Sequence, residues 1–145
     1  RREARRASER RLLLVSVFVD TSALYALLDA DDAHHARARN AWARLLEAET
    51  RLVSSNYVLV ETCALVRSRL GVAALRVLVE DLVPVIHVRW LDADAHAQAV
   101  AALLAAGRRR LSLVDCASFV LMRRQGIHEA FTFDRLFAEQ GFARI

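Results

Sequence analysis

The sequence predicts an α/β fold, a parallel sheet covered by helices on both faces. Short apolar runs alternate with longer stretches of helical periodicity along the 145 residues, and strands separated by helices build parallel sheets. The chain has only 4 Gly and 1 Pro, too few for the turns of an all-β fold. Its length suits one domain with a sizeable core. With 55% hydrophobic and 26% charged residues, it has the composition of a globular chain rather than a disordered one.

The elements follow in order. LLLVSVFV (12–19) reads as a fully buried strand, because the apolar run is continuous. Residues 22–29 read as a short helix, and 31–49 as a longer amphipathic one with Trp42, Leu45 and Leu46 on its inner side. RLVSS (51–55) is a strand, 56–70 an apolar helix ended by Gly71, and 72–82 another helix. VPVIHVRW (83–90) reads as a strand opened by the single proline. Residues 92–106 form a helix with Asp92 or Asp94 near its start and Gly107 after its end. Residues 112–126 form a helix opened by Ser112 and Asp115 and closed by Gly126. A strand at 129–133, a short helix at 134–141 and a strand at 142–145 complete the chain.

The formal net charge is +4, which looks like a nucleic-acid signal until it is located. Residues 1–14, RREARRASERRLLL, hold six Arg and two Glu, and the remaining fifteen Arg and fifteen acids cancel. The excess therefore lies in the N-terminal segment, and the pI of about 10.0 says little about the folded body. Residues 1–14 are expected to be a basic extension without fixed structure, and 15–145 the domain. A signal peptide is disfavoured: the apolar run is short, and cleavage after Ala23 would remove Asp20. No run is long enough to span a membrane. Cys63 and Cys116 lack any metal or redox spacing and read as small buried hydrophobes in a reducing cytoplasm. All 21 basic residues are Arg; without Lys there is no Walker A loop, and no G-x-G-x-x-G supports a dinucleotide site.

Four acids interrupt apolar runs: Asp20 after VFV, Glu61 in YVLVETCALV, Asp115 in LSLVDCASFV and Asp134 after FTF. Each has a structural explanation. Asp20 and Asp134 could cap the helices that follow, Ser112 and Asp115 fit a capping box, and Glu61 could face solvent. Yet Asp20 and Asp134 both end parallel strands, and that edge of an open α/β sheet is where ligands bind. Helix N-termini also favour ionised carboxylates, so capping and metal binding need not compete. Clustered carboxylates repel unless a cation lies between them, and a ligand set without His or Cys selects Mg²⁺ or Mn²⁺. Such ions serve phosphoryl chemistry.

At this point the chain resembles the PIN-domain nucleases, in particular the small toxins called VapC. The resemblance rests on VFVDTSAL with Asp20, VLVETCAL with Glu61, LSLVDCASF with Asp115 and TFDRLF with Asp134, and spans about residues 17–145. It makes residues 15–145 a PIN domain. It implies a three-layer α/β/α fold with strand order 3-2-1-4-5. It implies Mg²⁺- or Mn²⁺-dependent cleavage of RNA, with Asp20, Asp115 and Asp134 as metal ligands and Glu61 as a ligand or nearby acid. Ser22 and Thr132 match hydroxyl positions that orient these carboxylates. It implies a VapB-like antitoxin partner, a homodimer and a cytoplasmic protein without a membrane. No His lies in the four motifs, so metal-activated water attack, leaving a 5′-phosphate and a 3′-hydroxyl, is expected over a cyclic-phosphate route.

Other readings are thinner. A PIN-like module could bind RNA or a partner without cutting, or the nuclease could process RNA without being a toxin. A phosphohydrolase with a nucleophilic Asp wants D-x-D and a Lys, and neither is present. Nucleases acting on DNA flaps are generally larger. His34 and His35 are expected on the surface or capping a helix rather than in catalysis. Arg37, Arg44 and the run 108–110 could contact phosphates, but a solvated face is expected because the body carries no net positive charge. Trp42, Trp90 and the six Phe are expected mostly in the core, with no legible stacking platform for RNA.

Overall fold

The structure, a computed structural model, describes residues 1–14, 16–107 and 110–145. A five-stranded parallel sheet runs in the order β3-β2-β1-β4-β5. Its strands are β1 (Val17–Val19), β2 (Leu52–Ser55), β3 (His87–Arg89), β4 (Glu129–Phe131) and β5 (Ala143–Arg144). The helices are α1 (Arg2–Leu14), α2 (Thr21–Leu28), α3 (His35–Glu47), α4 (Asn56–Arg69), α5 (Val72–Val77), α6 (Ala93–Ala106), α7 (Leu113–Gln125) and α8 (Leu136–Glu139). The α/β class and the expected strand order 3-2-1-4-5 are both observed.

β1 and β2 are short and buried at every residue. Phe18, Phe131 and Phe137 are fully buried. Phe137 packs on Phe18 and Phe119, with ring centroids 6.2 and 5.0 Å away. Burying each such ring stabilises the fold by about 2–3 kcal/mol, so these few aromatics anchor the sheet against α7 and α8.

The expected elements shift where apolar residues fit two structures. The run 12–19 does not form one strand: residues up to Leu14 continue α1, and only Val17–Val19 pair with neighbours. The N-terminal extension expected to lack fixed structure is helical from Arg2 to Leu14. The helix expected at 72–82 ends at Val77 and is followed by a π-helical turn, Leu78–Leu82. Pro84 sits in a 3₁₀ turn, Val83–Val85, so it precedes β3 rather than opening it. This is its usual place, because proline has no N–H for a sheet ladder. On α3 the inner side is Ala38, Ala41 and Leu45, with half-buried Trp42 stacked on Phe131 (6.3 Å) as expected, while Leu46 is 43% exposed. Trp90 is 78% exposed rather than in the core. Cys116 is buried and Cys63 half-buried, and both are free thiols.

Candidate active site

The sheet register builds the site. Val19 of β1 pairs with Phe131 of β4, so the next residues on each strand, Asp20 and Thr132, leave the sheet side by side. The Asp20 N–H donates to the Phe131 carbonyl (3.1 Å) and holds the two exits together. Asp20 then caps α2, as its place before TSAL predicts.

Asp20 is 5% exposed, and a buried carboxylate needs donors. Two hydroxyls supply them: Ser22 Oγ donates to Asp20 Oδ2 at 2.8 Å and Thr132 Oγ1 donates to the same oxygen at 2.9 Å. The two hydroxyl oxygens lie 3.1 Å apart. Each has a single proton, and both protons go to the carboxylate. Their acceptor sides take backbone donors in turn: Phe133 N–H to Ser22 Oγ and Asp134 N–H to Thr132 Oγ1, each at 3.0 Å. Thus Asp20, Ser22, Thr132 and the backbone leading into Asp134 form one hydrogen-bonded knot. Thr21 ties it to α4, where its hydroxyl lies 3.0 Å from that of Thr62.

Asp115 opens α7 through the capping box expected for Ser112. Asp115 N–H donates to Ser112 Oγ at 3.0 Å, and Ser112 N–H donates to Asp115 Oδ2 at 2.9 Å. Asp134 Oδ1 accepts from the Leu136 N–H at 2.9 Å and so holds the start of α8. All three aspartates thus hold a helix start, Asp20 as the N-cap of α2, Asp115 in the capping box of α7 and Asp134 through the Leu136 N–H.

Their electrostatics tie them to one region. Burial, opposed by the Ser22 and Thr132 hydroxyls, lifts the Asp20 carboxyl from an ordinary 3.8 to about 6, and the negative charge of Asp115 adds to the rise. Asp115 is itself raised, first by burial and then by the charge of Asp134. Glu61 is not among the charges that raise either group. It is half-buried on α4, next to Thr62. The charges thus couple Asp20 to Asp115 and Asp115 to Asp134. Among the described residues, no three His, Cys, Asp or Glu side chains form a ready-made metal cluster.

A cleft of about 690 Å³ opens beside the knot, lined in part by Ser22, His34, Arg69, Arg110, Phe133 and Asp134. His34 occupies the N-cap position of α3 but makes no capping bond. Its ring stacks on Phe133, with centroids 4.4 Å apart and planes 6° from parallel. His35 Nδ1 instead contacts the Ala26 carbonyl at 2.7 Å. The sequence reading missed this stack, although Phe133 directly precedes Asp134 in the FTFD motif. Of the run 108–110, Arg110 lines the cleft and residues 108 and 109 lie outside the described residues.

Comparison with known proteins matches this architecture. The PIN domain family matches residues 17–143. The 23S rRNA-specific endonuclease VapC20 of Mycobacterium tuberculosis is 38% identical over 130 residues, 89% of this chain and 97% of that protein. The crystal structure of M. tuberculosis VapC20, described as a Sarcin-Ricin loop cleaving toxin, superposes with a TM-score of 0.79 at 36% identity, covering 90% of this chain and 98% of that one. The fold also matches FitAcB from Neisseria gonorrhoeae (TM-score 0.63, 18% identity, 89% and 96% of the two chains). It likewise matches DNA-bound VapBC from Salmonella typhimurium (TM-score 0.63, 16% identity, 91% and 98%). With its motifs, strand order and nearly full-length match in agreement, the chain belongs to the PIN-domain family.

Proposed function

We propose that this chain is a metal-dependent endoribonuclease, the toxin of a toxin–antitoxin pair. The observation that carries the proposal is the buried Asp20 carboxylate at the C-terminal edge of the sheet, bound by two hydroxyls and raised by its burial, with the charge of Asp115 adding to the rise. Such an arrangement is unfavourable without a cation and suited to one. The donor set, carboxylates backed by hydroxyls, fits Mg²⁺ or Mn²⁺. Mg²⁺ keeps several waters and needs only one or two direct carboxylates, so the absence of a ready-made three-acid cluster among the described residues does not oppose it.

In this reading Asp20, Asp115 and Asp134 hold the ion, and Glu61 contributes from α4. Ser22 and Thr132 keep Asp20 oriented. The bound ion supplies activation of water and neutralisation of charge on the phosphodiester. The VapC20 relationship supports RNA as the substrate. Its toxin description and the VapBC fold match support a VapB-like antitoxin as partner. A homodimer and a cytoplasmic location belong to the same reading; among the described residues no helix is long and apolar enough to cross a membrane.

The test is cleavage of structured RNAs, a ribosomal hairpin among them, with Mn²⁺ or Mg²⁺, with EDTA, and with Asp115→Asn. Metal-dependent cutting that leaves 5′-phosphate ends and is lost in the variant supports the proposal. Cyclic-phosphate ends overturn the mechanism, and RNA binding without cutting by the wild-type chain moves the assignment to a non-catalytic module.

A further inference from the structure

We propose that the cleft beside Asp134 is a nucleotide subsite, in which His34, backed by Phe133, stacks an RNA base while Arg69, Arg110 and Arg135 hold the adjoining phosphates. This rests on the ribonuclease reading and names how that site grips its strand.

Three observations converge on it. First, the His34 ring does not hold the turn in which it sits. The turn before α3 is held by Asp32, whose Oδ1 accepts the His34 N–H at 2.8 Å, while the imidazole makes no capping bond. Phe133 covers one face of the ring, while His34 as a whole is exposed and lines the cleft. A flat ring braced from behind at a cleft is a platform for a base, because every base has a π-face.

Second, the platform is registered to the carboxylates. The Phe133 N–H donates to Ser22 Oγ, and Ser22 Oγ donates to Asp20 Oδ2. One hydroxyl thus fixes both the ring beneath His34 and the most buried acid. Phe133 is braced further by an edge-on contact with Phe131 at 6.1 Å and by the Arg37 guanidinium 5.7 Å from its centroid. A base on His34 is held at a set distance from the phosphate to be cut.

Third, the cleft concentrates positive charge that the folded body lacks as a whole. Arg69, Arg110 and Arg135 line it against Asp32 and Asp134. All three are exposed and none forms a salt bridge among the described residues. Arg69 is positioned over the Tyr25 ring, 5.7 Å from its centroid. At about 690 Å³, the space is of the size that takes a nucleotide-sized ligand.

The test separates binding from cutting. A short fluorescent RNA of mixed sequence is titrated in EDTA against Asp115→Asn, alone and combined with His34→Ala, His34→Phe or Arg110→Ala. Removing the platform should weaken binding about tenfold. His34→Phe should restore it, and Arg110→Ala should weaken it and lower the salt slope by about one. With 2-aminopurine scanned along the strand, quenching at one position should be lost in His34→Ala, a change that a merely structural role would not produce. On the background with intact Asp115, KM should rise while kcat holds. Unchanged affinity and unchanged quenching in these variants overturn the proposal while leaving the nuclease reading intact. RNA binding that depends on His34 in a chain that never cuts supports the subsite and rejects the nuclease. No RNA binding by any form rejects both.

Discussion

Thr132 Oγ1 donates to Asp20 Oδ2 at 2.9 Å, joining residues 112 positions apart. The bond follows from the parallel pairing of Val19 with Phe131, which brings the next residue of each strand together. The same hydroxyl accepts the Asp134 N–H, so one side chain aligns two aspartates. Thr132→Val keeps the shape and removes both bonds. The Asp20 carboxyl should rise further above about 6, and the acid limb of the cleavage pH profile should move to higher pH. Metal affinity or activity should fall about tenfold or more, the usual cost of losing a partner that orients a ligand. A pH–rate profile with metal titration checks this.

The raised Asp20 also makes stability depend on pH. Its pKa is about 6 in the folded chain against an ordinary 3.8, so between these values the folded state binds more protons than the unfolded one. The stabilisation from neutral Asp20 is complete below pH 3.8 and is lost as pH rises through about 6. It amounts to about 3 kcal/mol. Urea denaturation in EDTA from pH 4 to 7.5 should show this loss in the wild-type chain and not in Asp20→Asn. The difference between the two curves isolates the Asp20 contribution from other carboxylates. Equal slopes for both would show that Asp20 is not raised.

Asp115 combines a capping bond with the proposed metal-binding role in one side chain. In Asp115→Asn the amide oxygen can still accept the Ser112 N–H, and the Asp115 N–H still reaches Ser112 Oγ. The capping box is therefore expected to survive. The negative charge that raises Asp20 disappears, so the Asp20 pKa should fall. The expected outcome is a melting temperature at or above that of the wild type, with metal-dependent cleavage at background. A variant that lost activity by unfolding would show a lower melting temperature.

The three aspartates were legible because a charge ending an apolar run is costly unless the structure uses it. Asp20 and Asp134 follow strands, and Ser112 with Asp115 is a local capping signal. The α/β class was legible for a similar reason, since alternation of strand and helix is written along the chain. The boundaries were less so. Leu12 to Leu14 suit a buried strand or a helix end equally, and only pairing decides between them. The His34–Phe133 stack could not be read at all. It joins two distant segments, and neither residue carries a local pattern that demands the other. The exposure of Trp90 is likewise set by tertiary packing, which leaves β3 at the sheet edge.

Glu61 separates two roles that the motif alone cannot distinguish. Its charge contributes to neither the Asp20 nor the Asp115 shift, whereas Asp115 and Asp134 do. It sits half-buried on α4, yet α4 is tied to the Asp20 loop through Thr62 and Thr21. We propose that Glu61 would act on a bound ion through water rather than by direct contact, as Mg²⁺ sites commonly allow. Glu61→Gln should therefore raise the metal concentration needed for half-maximal cleavage about tenfold and leave the rate at saturating Mn²⁺ close to that of the wild type. Asp115→Asn should not recover at any metal concentration. Metal titrations of the two variants side by side decide the point: failure of Glu61→Gln to recover would make Glu61 a direct ligand.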